Sequence, residues 1–116
     1  MTQIPTLADI KETATRIAPF AERTPVRILQ LDDGTQLWLK CENLQVTGAF
    51  KVRAAFTMLN ALPEDVRNKG VVLTSSGNFA QAFAYAGRTM GVPITVVMLD
   101  HTSAYKVRAT QGHGGE

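Results

Sequence analysis

Val71-Val72-Leu73-Thr74-Ser75-Ser76-Gly77-Asn78-Phe79-Ala80, answered downstream by Ile94-Thr95-Val96-Val97-Met98-Leu99, is the stretch that decides the fold. Each end is a short, continuously apolar run rich in β-branched residues, as suits a strand buried on both faces of a parallel sheet. Between them Phe79, Ala80, Phe83, Ala86, Gly87 and Met90 mark an apolar helical stripe, which Gly91 and Pro93 break. Strand, helix and strand in this order form a βαβ unit, so the expected class is α/β with a right-handed crossover. Ser103 to Thr110 reads as another helix, ending near Gly112, after which a third strand is expected. Two strands with their helices make an incomplete doubly wound sheet.

Ser75-Ser76-Gly77-Asn78 lies at the carboxyl end of the first run and opens the helix. Open α/β sheets bind ligands at that point, and free N–H groups at a helix start favour a carboxylate or a phosphate. Gly77 allows a tight turn, while the hydroxyls and the amide add donors. Ser and Asn are also ordinary caps, so capping and anion binding both stand at this stage.

Upstream, Gln45 to Pro63 reads as a helix with Thr47 as N-cap and Pro63 as its stop. At about 100° per residue, Ala61, Ala54, Met58, Lys51, Leu62, Ala55, Leu59, Val52 and Phe56 share one apolar arc. Arg53, Asn60 and Thr57 fall opposite. Lys51 is the anomaly, because taking an ammonium out of water is costly. Burial would lower its pKa and free a nucleophilic amine for an imine with a carbonyl compound. The alternative is a first-turn lysine whose stem lies on apolar surface while its head reaches water.

Nearer the start, Thr6 and Asp9 form a capping-box pattern ahead of Leu7, Ile10, Ala14 and Ile17, and Pro19 limits that helix. Arg27–Leu31 and Gln36–Lys40 flank Asp33-Gly34, a good hairpin turn. Trp38 is expected in the core, and Cys41, at the end of Leu37-Trp38-Leu39-Lys40-Cys41, reads as a small buried hydrophobe. Glu64 to Gly70 reads as a polar link.

The 116 residues are 45% hydrophobic and 19% charged, an ordinary globular α/β composition. A net charge of +2 without clustered Lys and Arg argues against a nucleic-acid footprint. The lone Cys41 cannot form an internal disulfide, which points to a reducing cytoplasm. Neither a signal-type apolar segment nor a run of membrane-spanning length is expected. His101 and His113 are isolated and read as surface residues, without the spacing of a metal site.

Two stretches, Leu39-Lys40-Cys41-Glu42-Asn43-Leu44-Gln45-Val46-Thr47-Gly48-Ala49-Phe50-Lys51-Val52-Arg53 and Thr74-Ser75-Ser76-Gly77-Asn78-Phe79-Ala80-Gln81, together resemble the fold-type-II pyridoxal-phosphate enzymes. That is the tryptophan-synthase-β-like fold, and the resemblance is to the threonine/serine dehydratase (ammonia-lyase) group above all. Arg23-Thr24-Pro25-Val26 is similar to a segment near the start of those enzymes. By this resemblance Lys51 would hold pyridoxal 5'-phosphate covalently and take part in proton transfer at Cα. Phe50 would pack beside the pyridine ring, and Asn78 would hydrogen-bond the phenolic oxygen. Ser75, Ser76, Gly77 and Asn78 would receive the carboxylate of the substrate, a small amino acid, and Phe79 would also contact the substrate. Ser76 matches an acid/base position on the ring face opposite the lysine. The implied reaction eliminates the β-hydroxyl of a threonine- or serine-type substrate to give a 2-oxo acid and ammonia.

Ala49, Phe79 and Ala54 stand where the family usually has Ser, His and Gly, and the first two bear on substrate contacts. Val52 stands where the β- and γ-replacement relatives, cysteine synthase and threonine synthase, typically have Asp, which favours the dehydratase side. A plain anion-binding α/β module is the alternative of a different class. The resemblance also implies residues 1–62 as the first part of a large cofactor domain and 63–116 as the start of a small one. The glycine-rich phosphate cup would then lie beyond Glu116, in a cytoplasmic homo-oligomer about three times longer.

Overall fold

A computed structural model describes residues 4–116. Helix α1 (Leu7–Ile17) begins at the capping box read from the sequence. Thr6 Oγ1 accepts from the Asp9 amide at 3.2 Å, and the Asp9 carboxylate accepts from the Thr6 amide at 2.7 Å. Strands β1 (Val26–Gln30) and β2 (Gln36–Lys40) pair antiparallel, from Val26↔Lys40 to Gln30↔Gln36. The turn between them is held by Asp33, which accepts from the Thr35 amide at 2.9 Å. Every residue of both strands is exposed. The hairpin packs on itself rather than on the core, so two expectations are corrected. Trp38 is 67% exposed instead of buried, and Cys41 is only half-buried, its thiol donating to the Leu39 carbonyl at 3.5 Å.

A single 3-10 turn, Glu42–Leu44, leads towards α2 (Lys51–Ala61). The expected cap at Thr47 is also corrected. Residues 45–50 form a run of turns, and Phe50 is the cap residue, without a side-chain hydrogen bond to the helix. Pro63 ends α2 as its missing N–H requires. The supposed polar link after it contains a short helix, α3 (Glu64–Arg67).

Strand β3 (Val71–Thr74), α4 (Asn78–Met90) and β4 (Ile94–Val97) form the βαβ unit, and the strands pair parallel from Val71↔Ile94 to Thr74↔Val97. Strand β4 stops at Val97, two residues before the apolar run does. Helix α5 (Ala104–Gly112) follows. Beyond it the Glu116 amide donates to the Ile94 carbonyl at 3.0 Å, and the Glu116 carbonyl accepts from the Val96 amide at 2.7 Å. These are the two bonds of a parallel bridge, made on the edge of β4 that β3 leaves free.

The core lies where α2 crosses α4. Val52, Ala55, Phe56 and Leu59 pack against Ala82, Phe83 and Ala86, with Ile17, Val92 and Ile94 closing the cluster. Phe20 stacks on Phe56 at 4.7 Å between ring centres, and Tyr85 meets Phe56 edge-on at 6.2 Å. Burying side chains of this size contributes roughly 1.5–3 kcal/mol each. Helix α4 approaches β4 so closely at Gly87 that a Cβ there would lie 2.2 Å from Ile94 Cγ1 and 2.6 Å from the Val92 carbonyl oxygen. The buried side of α2 is narrower than the helical arc, and Met58 and Ala61 on its flank are exposed. No helix among the described residues is long and apolar enough to cross a membrane.

Candidate active site

Lys51 is the first residue of α2, and the chain reaches it through a tight turn. The Gly48 amide donates to the Gln45 carbonyl at 2.7 Å, and Gly48 has φ +69°, a conformation costly for residues with a side chain. The lysine is half-buried, at the edge of the core face rather than within it. Its Nζ lies 4.8 Å from the centre of the Phe50 ring and 5.9 Å from that of Phe79. No carboxylate among the described residues pairs with it. The head thus lies within about 6 Å of two aromatic ring centres, an amine attracted by both rings and paired with no carboxylate among the described residues.

Phe79 joins this amine to the second motif. It belongs to the first turn of α4 and leans on Phe83, with ring centres 4.7 Å apart. Ser75, Ser76 and Gly77 form the turn before α4, and Asn78 is its first helical residue. Ser75 Oγ accepts from the Gly77 amide at 3.3 Å, holding the turn together. Gly77 occupies the cap position, and no side chain caps the helix. Plain capping by Ser or Asn is therefore not what these residues do. The first-turn amides of α4 remain as donors, flanked by the exposed side chains of Ser76 and Asn78.

A polar cluster on the far side of α2 escaped the sequence reading. The Glu42 carboxylate accepts from Arg53 Nε at 2.9 Å and from an Arg53 terminal nitrogen at 2.8 Å, a bidentate pair. Thr24 Oγ1 donates to the same carboxylate at 2.5 Å. These donors, Arg53 first, hold the Glu42 carboxyl down at about 2. Buried Gln45 accepts from the Glu22 amide at 2.8 Å and donates to the Glu22 carbonyl at 2.9 Å. The only signal in the sequence was the position of Glu42, Gln45 and Arg53 inside the motif that carries Lys51. A groove of about 560 Å³ runs along this side, lined by Ile17, Ala21, Glu22, Arg23, Lys40 and Arg53. It lies away from Lys51, and its Arg53 is already paired.

The histidines differ from one another. His101 is exposed beside Asp100, as expected for a surface residue, whereas His113 is half-buried and meets Tyr85 edge-on. Burial, and then the nearby Arg88 charge, lower the His113 pKa. Among the described residues no cluster of His, Cys, Asp and Glu is arranged to hold a metal ion.

A family model described as "Pyridoxal-phosphate dependent enzyme" matches residues 17–116. The chain belongs to this family. L-threo-3-hydroxyaspartate ammonia-lyase from Pseudomonas sp is 45% identical over 115 residues, which cover 97% of this chain and 36% of that protein. Maize serine racemase superposes with a TM-score of 0.89 at 37% identity, covering 98% of this chain and 36% of the other. The threonine deaminase of T.th. gives 0.85 at 41% identity, over 97% and 36%. The chain thus has the α/β fold of the fold-type-II pyridoxal-phosphate enzymes, and it spans about a third of the length of these relatives. The family's cofactor suits the residues present: an amine without a counter-ion, aromatic faces beside it, and a helix start with unused donors.

Proposed function

We propose that this chain supplies the lysine, the ring-packing residue and the substrate-carboxylate loop of a pyridoxal-phosphate-dependent ammonia-lyase acting on a β-hydroxy amino acid. The observation that carries the reading is the Lys51 amine, unpaired with any described carboxylate and within about 6 Å of the ring centres of Phe50 and of Phe79 at the uncapped start of α4. When bound, pyridoxal phosphate supplies the electron sink that makes loss of a Cα proton and of a β-hydroxyl accessible. Lys51 Nζ would hold the cofactor, and the same amine would accept the proton from Cα. Phe50 would pack beside the cofactor's ring, and Asn78 would offer it a hydrogen-bond donor. The first-turn amides of α4, with Ser75 and Ser76, bind the substrate carboxylate and so fix which Cα bond faces the amine. The Phe79 ring, its centre 5.9 Å from the amine, would line the substrate's side of the site.

The similarity to an L-threo-3-hydroxyaspartate ammonia-lyase and to an L-threonine dehydratase supports a β-hydroxy substrate. Borohydride reduction of the holoprotein, followed by peptide mapping, tests the central assignment. The pyridoxyl label is expected on Lys51, and a label on any other lysine refutes it. A second reading, racemisation of the same class of substrate, is favoured by the exposed Ser76 hydroxyl and by the likeness to serine racemases. Ser76 Oγ would then hold a proton on the face opposite Lys51. Measuring racemisation and elimination in one reaction separates the two readings.

A further inference from the structure

The start of α2 carries the key amine, yet no side chain caps it. What fixes it instead lies on the opposite side of the helix. Lys51 and Arg53 are two residues apart, about 200° around the axis, so they point away from each other. Arg53 forks onto Glu42 at 2.8 and 2.9 Å and also donates to the Glu22 carbonyl at 2.8 Å. Glu42 in turn is held by Thr24 at 2.5 Å, and Lys40 Nζ donates to the Thr24 carbonyl at 2.5 Å. Gln45 ties the turn before α2 to Glu22. The segment before β1, the end of the hairpin and the first turn of α2 therefore meet on one carboxylate.

We propose that Glu42 and Arg53 are positioning residues for Lys51, their bidentate pair locking the rotation of α2 about its own axis. The effect is one of leverage. The Cα atoms lie about 2.3 Å from the axis, and an extended lysine places Nζ roughly 8 Å out. A rotation of about 10° would then carry the amine through roughly 1.4 Å, a displacement that can cost up to 10²-fold in rate. A single-point ammonium contact cannot resist such a rotation as a planar fork does, because it allows the carboxylate to pivot about one hydrogen bond.

The inference rests on Lys51 being the cofactor-holding residue, and the experiment keeps the two apart. In the wild-type holoprotein, the borohydride-fixed label on Lys51 tests that premise alone. Arg53→Lys and Glu42→Gln are then compared with wild type at saturating cofactor, well below their unfolding temperatures. Labelling of Lys51 and kcat are both expected to fall roughly tenfold, with KM little changed. Ile94→Ala, which weakens the core without touching this cluster, should unfold earlier yet label Lys51 at the wild-type rate. If Arg53→Lys does not fold, Glu42→Gln, which keeps shape and an acceptor, decides the matter. Wild-type labelling in a folded Glu42→Gln or Arg53→Lys protein overturns the proposal, as does an equal loss of labelling in Ile94→Ala.

Discussion

Replacing Gly87 by Ala adds one methyl group where α4 and β4 are closest. The new Cβ would lie 2.2 Å from Ile94 Cγ1, 2.9 Å from Ile94 Cδ1 and 2.6 Å from the Val92 carbonyl oxygen. In an unconstrained helix the same change would stabilise by roughly 0.5–1 kcal/mol, because glycine loses more backbone entropy on folding. Overpacking a filled core costs roughly 1–3 kcal/mol. The steric side wins here, since one of the two closest obstacles is backbone and cannot turn aside. The Val92 carbonyl is tethered by the Val92 amide, which donates to the Gly87 carbonyl at 2.8 Å. A net loss of about 1–2 kcal/mol is expected, read as a lower denaturant midpoint by far-UV circular dichroism at unchanged slope. Repeating the substitution in an Ile94→Ala background should reduce the penalty without abolishing it, because the carbonyl contact remains. Gly87→Ala matching or exceeding wild type would refute the close approach of α4 to β4.

The Glu42 carboxyl is held at about 2, below its ordinary 4.5, by Arg53 and Thr24. Its contribution is therefore complete above about pH 4.5 and is lost as the pH falls towards 2, amounting to about 2 kcal/mol once solvent screening is allowed for. Glu42→Gln should flatten the stability profile over that window, and a profile parallel to wild type would count against the pair. Leu59→Ala, at a fully buried site against α4, should cost about 2–5 kcal/mol in the same unfolding assay. A loss below about 1 kcal/mol would mean the α2–α4 contact is not the core. Asn78→Ala should slow turnover while leaving the unfolding midpoint in place, since Asn78 is exposed at the start of α4. Ser76→Ala should suppress racemisation more than elimination, and an equal effect on both would reject the opposite-face role.

The parts of the fold written in local chemistry were legible. The capping box of Thr6 and Asp9, the Asp33-Gly34 turn and the apolar runs of β3 and β4 each involve neighbours in sequence, and each stands where expected save that β4 ends two residues early. The start of α2 differs because Thr47 has the right side chain in the wrong backbone. Its hydroxyl faces the Ala49 carbonyl at 3.5 Å, while Gly48 turns the chain. Apolar type alone suggests a core place for Trp38 and Met58, whereas exposure depends on what the rest of the fold brings alongside. Of the candidate site, Lys51 and the Ser75–Asn78 turn stood out through residue type and spacing. The pairing of Arg53 with Glu42 could not be read, because eleven positions and a change of direction separate the partners.

Trp38 is the chain's single tryptophan, and it stands in solvent on a hairpin that packs mainly on itself. Its indole is therefore a reporter of the wrong region. Native emission should already be red-shifted, close to that of the free amino acid, and loss of the α2–α4 core should barely change it. An unfolding curve followed by intrinsic fluorescence would track fraying of β1 and β2, while circular dichroism tracks the helices. Disagreement between the two probes would then mimic a folding intermediate that does not exist. A tryptophan placed at Tyr85, beside the Phe56 ring, would turn the optical signal towards the core.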